Sequence, residues 1–290
     1  MPQLPAPLGL IADDLTGACD AGVQFSQRGL STVVWLAPEP PPEEPALLAL
    51  VTGGRSVTPA AAHEAAAATC RRLAAEGRAI VAQKIDSTFR GNPGAEILAV
   101  METAGFPYAV ITPAFPAMGR TVERGCLRVA GVAGCLHLAP RLTEQGAQRV
   151  LEIGTDQFEE LPRLSAGEST LIVADARSPE DLARLARIWF SLGPRPLLAG
   201  SAGLAAEIAS LLGAPASGLA ASTGEPGPVL LISGSTHPAT KAQIKLLVQT
   251  GAALVSSGEL DSARQALAAG RHTVALMDAT HASIEDAALL

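Results

Sequence analysis

The chain is short of two residue types: aromatics make up 3% of its 290 residues, and only Lys84, Lys241 and Lys245 among its 21 basic residues are lysines. With few rings available, Ala, Leu and Gly fill an apolar fraction of 48%, which suits close packing of helices on a sheet. There is no basic block and the net charge is −7, so the electrostatic footprint that nucleic acid requires is missing. No run of roughly 18 apolar residues is present to span a bilayer, and Met1 to Pro7 lacks the basic and apolar regions of a secretory signal. Neither nucleic acid nor membrane is expected as a partner, and the cytoplasm is the expected location. Cys19, Cys70, Cys126 and Cys135 form no CxxC pair and the five histidines are scattered, so zinc-site spacing is absent. Buried or idle thiols are expected, with Cys19 serving packing rather than redox chemistry. No GxxxxGK[ST] occurs, which excludes a P-loop, and no GxGxxG with a downstream acid supports a dinucleotide site.

What is present is an alternation of apolar runs and amphipathic stretches. Leu8 to Ala12 reads as strand, Ala18 to Arg28 as helix capped by Gly29, and Thr32 to Ala37 as strand, a βαβ opening. Five prolines between Pro38 and Pro45 interrupt regular structure. Leu47 to Thr52 then reads as strand, and Thr58 caps a helix with Pro59 at its first position, running to Glu76. Further strands are expected at Ala79 to Ile85, Tyr108 to Thr112, Thr170 to Ala174, Pro196 to Ala199 and Val229 to Ser233. The expected fold class is α/β: a parallel-sheet N-terminal domain over 1–213, an Ala/Gly/Ser/Pro/Thr linker at 214–228, and a partial Rossmann-like domain over 229–290. A core of about sixty residues is marginal unless it docks on a larger body.

Polar clusters recur just after apolar strands: Asp13 to Gly17, Lys84 to Asn92, Pro113 to Arg120, Asp175 to Arg177, Gly200 to Gly203 and Ser233 to Ser235. In open parallel sheets those ends face a ligand crevice, so the clusters are expected to converge. Asp13 and Asp14 are adjacent carboxylates at a strand-to-helix turn. One can be an N-cap, and the other is left for work as a general base or hydroxyl acceptor. Lys84 follows an apolar strand in a chain that otherwise carries its positive charge on Arg, which points to a ligand, with a salt bridge to Asp86 or Glu96 as the plain alternative. Arg90 offers a planar fork to a carboxylate or phosphate. The Pro-stiffened loop from Thr112 to Thr121 presents Arg120 either as a ligand clamp or as ordinary surface. Gly200 to Ala205 and Ser233 to Thr236 precede helices and could cradle phosphate, although glycine turns of this kind also arise from packing.

These clusters, in this order, resemble the four-carbon acid sugar kinase family over nearly the whole chain. The resemblance rests on Ala12 to Ala18 with Asp20, Lys84 to Thr88 with Arg90, Gly91 and Glu96, and Pro113 to Pro116 with Gly119 to Thr121. It continues in Gly200 to Leu204 and in Gly234 and Ser235 with Thr240 and Gln243. It implies an N-terminal sugar-acid domain and a C-terminal nucleotide domain, with transfer of the ATP γ-phosphoryl group to the 4-hydroxyl of erythronate, threonate or a 3-oxo-tetronate. It further implies Asp13 or Asp14 as the catalytic carboxylate. Thr16, Arg55, Lys84, Asp86, Ser87, Arg90, Phe115, Gly119 and Arg120 would surround the sugar acid, Ser233, Gly234 and Ser235 would meet ATP, and Mg²⁺ would bridge the phosphates without an assigned protein ligand.

The chain departs from the family pattern in two places. Thr52-Gly53-Gly54-Arg55 follows the third strand where relatives carry more polar residues, so a substrate contact near Gly53 is expected to be lost. The family's later glycine-rich stretches, which complete the nucleotide pocket, have no counterpart before Leu290, so the ATP site is expected to be incomplete. The alternatives are a homologue that binds the sugar acid without transferring phosphate, one half of a split kinase with a complementing C-terminal chain, or a NAD-dependent dehydrogenase on fold analogy alone. A homodimer is the other expected assembly.

Overall fold

The computed structural model describes residues 7–41, 43–164, 169–193, 195–213, 227–235 and 238–277. Residues 214–226 of the expected linker, and Thr236, lie outside them. The chain divides into two compact units, Met1–Leu219 and Ala220–Leu290.

The first unit is built on an eight-stranded parallel sheet. Its strands are β1 (Leu8–Ala12), β2 (Thr32–Trp35), β3 (Leu47–Val51), β4 (Ala79–Lys84), β5 (Tyr108–Thr112), β9 (Arg149–Ile153), β10 (Thr170–Ala174) and β11 (Leu197–Gly200), in the order β2-β3-β1-β4-β11-β5-β10-β9. Every residue of β1, β5 and β10 is buried, which is why they read as unbroken apolar runs: helices cover both faces of a parallel sheet. The covering helices include α1 (Leu15–Ser26), α2 (Pro59–Ala75), α3 (Pro93–Ala104), α4 (Leu138–Glu144), the single turn α5 (Leu161–Leu164), α6 (Pro179–Ser191) and α7 (Ala202–Leu212). Thr58 caps α2, accepting from the Ala61 amide at 3.3 Å, with Pro59 following as the sequence predicts. Ser178 and Asp181 close a capping box at the start of α6.

The chain runs from β1 out to β2 and β3 on one side, then crosses to β4 on the other. The carboxyl ends of β1 and β4 therefore flank a topological switch point, where open α/β sheets leave a crevice. Asp13, Asp14 and the segment from Ile85 onward start there.

A small antiparallel sheet was not foreseen. It comprises β6 (Arg120–Glu123), β7 (Cys126–Val129) and β8 (Leu136–His137). Strands this short, broken by the Arg124-Gly125 turn, carry too little alternation to be read from a pattern. The sheet also corrects the cysteine reading, because Cys126 and Cys135 are joined in a disulfide. Cys19 is exposed rather than packed, while Cys70 is buried as expected and burial pushes its thiol up.

The second unit contains β12 (Leu230–Ser233), α8 (Pro238–Gln249), β13 (Ala253–Ser256), α9 (Leu260–Ala268) and β14 (Thr273–Leu276), with its three parallel strands ordered β12-β14-β13. Its cluster of buried side chains is Val255, Ala263 and Ala275, with Leu230 packed against them. Leu231, Ile232, Leu254 and Leu276 remain exposed on its strands. Among the described residues no helix is long and apolar enough to cross a membrane.

Candidate functional site

The switch point gathers the charged residues that follow β1, β3 and β4. Asp14 is the N-cap of α1: its Oδ1 accepts from the Gly17 amide at 2.7 Å. Asp13, one residue earlier, is only 3% exposed. Backbone bonds hold the strand ends together, Asp13 N to Lys84 O at 3.3 Å, Thr52 N to Ala12 O at 2.9 Å and Ile85 N to Gly200 O at 2.9 Å.

Arg55 is the hub. Its Nε and Nη2 donate to Asp13 Oδ2 at 3.1 and 2.8 Å, its Nη1 donates to Asp14 Oδ2 at 2.6 Å, and Nη2 lies 3.5 Å from Asp86 Oδ1. A bidentate guanidinium is what lets adjacent carboxylates share one small volume. Arg55, expected among the residues around the sugar acid, has its donors on Asp13 and Asp14. The turn carrying it depends on Gly54, where a Cβ would overlap Glu96 Oε1, and on Asn92, whose Nδ2 donates to Gly54 O at 2.9 Å and Val57 O at 2.8 Å.

Asp86 is saturated by its own loop. It accepts from the Thr88 amide and hydroxyl, from the Arg90 amide at 3.2 Å, and from Arg90 Nε and Nη2 at 2.9 and 2.8 Å. Burial works to raise its pKa, but the hydrogen bonds from Arg90 and Thr88 outweigh it and hold the carboxyl well below the usual range. This loop also carries Phe89 at φ 62, a conformation side chains rarely adopt. Asp86 thus organises the loop, and Arg90, raised by the same bonds, presents a largely exposed guanidinium.

Asp13 contrasts with it. Oδ2 accepts from Arg55 and from the Asp86 amide at 3.1 Å, yet Oδ1 is buried with no hydrogen-bond partner among the described residues. Burial raises the pKa of Asp13, against the pull of Arg55 and Lys84. Lys84 is 6% exposed; its Nζ donates to Ile85 O at 3.0 Å and makes none of the expected ion pairs with Asp86 or Glu96 among the described residues. A Cβ placed on Gly17 would lie 2.6 Å from Asp14 Oδ1, 3.0 Å from Lys84 Nζ and 3.4 Å from Asp13 Oδ1, so only glycine fits where these three groups crowd the first turn of α1.

Glu96 was not among the expected ligand residues, but it lies beneath the site. It is fully buried in the first turn of α3, its Oε2 is 3.2 Å from Thr52 Oγ1, and burial followed by the nearby Asp13 charge pushes its pKa up to about 8. It is therefore a neutral acid at pH 7. The signal was available: one carboxylate within the otherwise apolar run Ala95 to Met101.

The remaining expected residues are placed apart. Thr16 is exposed on α1 and Ser87 is half-buried on the Asp86 loop. Phe115, Gly119 and Arg120 follow β5, on the far side of β11, where no hydrogen bond ties them to Arg55 among the described residues. Arg120 Nε is buried without a partner, an unused donor consistent with a clamp. Two other clusters are structural. Asp175 accepts from the Arg124 and Gly125 amides at 2.7 and 3.0 Å and so seats the β6–β7 turn. Ser201 caps α7 and donates to Ala114 O at 2.5 Å, while Gly203 makes room for the Phe115 ring.

Ser233, Gly234 and Ser235 belong to the second unit, at the carboxyl end of β12. They line an open cleft of about 660 Å³ whose wall is otherwise largely apolar, with Ile244, Val248 and Leu254, and two of the chain's three lysines, Lys241 and Lys245, border it. Among the described residues, the three metal-capable side chains brought within 4.8 Å of one another are Cys126, Cys135 and His137, two of which are joined as a disulfide.

A family described as "sugar-binding N-terminal domain" matches residues 8–144, which span the whole β1/β4 site. A 3-oxo-tetronate kinase of Escherichia coli is 30% identical, covering 92% of this chain and 76% of the relative. The chain belongs to the four-carbon acid sugar kinase family. A D-threonate kinase of Bordetella bronchiseptica is 34% identical over 84% of this chain. The chain spans 63% of that kinase's length, and the same share of a D-threonate kinase of Salmonella typhimurium at 32% identity. Among solved structures, a domain of unknown function from Bordetella bronchiseptica, a domain-swapped dimer with bound citrate, superposes with a TM-score of 0.62 at 28% identity, covering 96% of this chain and 76% of that one.

Proposed function

We propose that the first unit binds a four-carbon sugar acid at the β1/β4 switch point, as the recognition half of an ATP-dependent kinase acting on its 4-hydroxyl. The observation that carries this reading is that a buried Asp13 Oδ1 with no partner among the described residues and the buried Lys84 Nζ both lie close to Gly17 at the start of α1. A sugar acid presents hydroxyls, which a carboxylate accepts from, and a carboxylate, which a buried cation attracts. Arg55 holds Asp13 in place, Asp14 anchors the helix, and Arg90 provides a further guanidinium donor at the rim, while Arg120 lies apart on the far side of β11.

In this reading Asp13 accepts the proton of the attacking hydroxyl, a role that suits a carboxylate whose proton affinity is raised by burial. The nucleotide's phosphates would meet Ser233, Gly234 and Ser235 with Lys241 and Lys245 in the second unit, where hydroxyls and ammonium groups match phosphate oxygens. When bound, Mg²⁺ supplies charge neutralisation on those phosphates, and no protein ligand is assigned to it. Catalysis then rests on positioning and electrostatics.

Incubating the chain with ATP, Mg²⁺ and a panel of tetronates should give a phosphate ester by ³¹P NMR, and no ester from any of them would defeat the kinase reading for this chain. A second reading, sugar-acid binding without phosphoryl transfer or transfer only with a complementing chain, is favoured by the small core of the second unit. Calorimetry separates the two, because tetronate binding without ATP binding selects the second. The domain-swapped relative makes a homodimer the proposed assembly, to be tested by light scattering.

A further inference from the structure

The Cys126–Cys135 disulfide has no part in the site described above, yet it borders that site. It closes the loop between β7 and β8, and residues 130–137 of that loop are all exposed, Cys135 among them, whereas Cys126 is buried. Little else holds the loop: the Val132 amide donates to Val129 O at 3.0 Å, the Ala130 amide to Gly119 O at 2.8 Å, and β8 pairs with β7 at only two positions. Its inner side matters for function. Val132, Ala133 and Cys135 share a cleft of about 250 Å³ with Thr88, whose hydroxyl donates to Asp86. At the other end, Ala130 packs over Gly119, which sits at φ +69 immediately before Arg120; a Cβ on Gly119 would come within 2.7 Å of Ala130 Cβ.

We propose that Cys126–Cys135 is a reversible thiol–disulfide modification site, and that its reduction loosens the β7–β8 loop, the cleft wall facing Thr88 and the backing of Gly119 and Arg120. Exposure of one sulfur is what makes a disulfide accessible to exchange. A dithiol reductant is the co-reactant. Its thiolate attacks the exposed Cys135 sulfur, the Cys126 thiolate leaves, and the second thiol of the reductant attacks its own sulfur in the mixed disulfide to release Cys135. Two electrons and two protons pass from the dithiol to the protein, and the dithiol becomes a disulfide. His137 has a ring nitrogen within 4.8 Å of both sulfurs. The consequence for sugar-acid binding rests on the function proposed above; the redox step and the loosening do not.

The test uses the full chain in a Cys19→Ser background, equilibrated in dithiothreitol buffers of graded oxidised-to-reduced ratio. Alkylation and mass measurement count the thiols, and hydrogen exchange is followed in both states. Reduction should speed exchange at Ala130 and Val132 by about tenfold to a hundredfold, leave β1, β5 and β10 unchanged, and reverse on reoxidation. A Cys126→Ser/Cys135→Ser double variant should match the reduced pattern and ignore the reductant. Identical exchange in the two states, or a pair that stays oxidised in millimolar dithiothreitol, would overturn the proposal. D-threonate, used as the probe, should bind about tenfold more weakly after reduction. Equal binding in both states overturns the coupling to the site, whereas binding in neither state with exchange still redox-dependent counts against the sugar-acid reading alone.

Discussion

Two pairs of strand ends in the same sheet carry polar clusters that look alike in sequence and behave differently. Among the described residues at β1 and β4, Asp13 keeps a buried oxygen without a partner, Lys84 is buried without a direct counter-ion, and burial raises the proton affinity of both Asp13 and Glu96. At β10 and β11, Asp175 and Ser201 are satisfied by backbone groups of the β6–β7 turn and of α7. Following a strand is therefore not enough to mark a functional residue. What separates the two ends is whether the polar atoms are already used, since a buried donor or acceptor left open is costly unless something else requires it.

The largest expected effect separates these ends most sharply. Asp13→Asn should lower phosphoryl transfer, or tetronate affinity where transfer is not measurable, by about 10²-fold or more, beyond what the accompanying loss of thermal stability explains, since it also takes away the charge that Arg55 bonds. Asp175→Asn should change the same quantity by less than about threefold. Should Asp175→Asn prove as damaging as Asp13→Asn, the distinction between the ends collapses.

Arg55→Ala should destabilise the first unit by about 3 kcal/mol in urea unfolding, because it leaves Asp13 buried beside Asp14 with no guanidinium between them. Arg55→Lys should recover only part, since a point charge cannot bridge both carboxylates.

Glu96 gives the site end a pH signature. Its folded pKa of about 8 stands above the ordinary 4.5, so between those values the folded chain holds a proton that the unfolded chain has released. Stability contributed by Glu96 is complete below about 4.5 and is lost as pH rises through about 8, at up to about 1.4 kcal/mol per pH unit. Denaturation midpoints at pH 5 and 8.5 should therefore differ more in the native chain than in Glu96→Gln, which keeps a neutral group of the same shape.

Ser201→Ala marks the smallest effect. It removes the cap of α7 and the bond to Ala114 O, at a cost of about 1–2 kcal/mol in stability, and should leave ligand affinity alone.

Much of the first unit was legible. The strands at Leu8–Ala12, Tyr108–Thr112 and Thr170–Ala174 match their expected bounds, because a parallel strand buried on both faces must be apolar throughout. Asp13 and Asp14 were legible as a pair with one cap and one free role, and Asp14 proves to be the cap. Arg55 was legible as a basic site residue but not as the group that holds the two carboxylates, a role set by a turn that returns from β3. The antiparallel sheet and its disulfide were not legible: Cys126 and Cys135 are nine residues apart, and only the turn of β7 onto β8 brings their sulfurs together.

The sequence by itself determined the alternation of strand and helix, the caps, and the residue types offered at each strand end, because these follow from periodicity and local hydrogen bonding over a few residues. Which of those residues are used up and which remain open was decided by the tertiary structure alone. Asp13 and Asp86 are both aspartates after apolar strands, yet Asp86 meets five donors from its own loop and Asp13 keeps one buried oxygen without a partner among the described residues. Burial and hydrogen-bond saturation depend on segments tens of residues apart, and those two quantities set the proton affinity and hence the chemistry of each carboxylate.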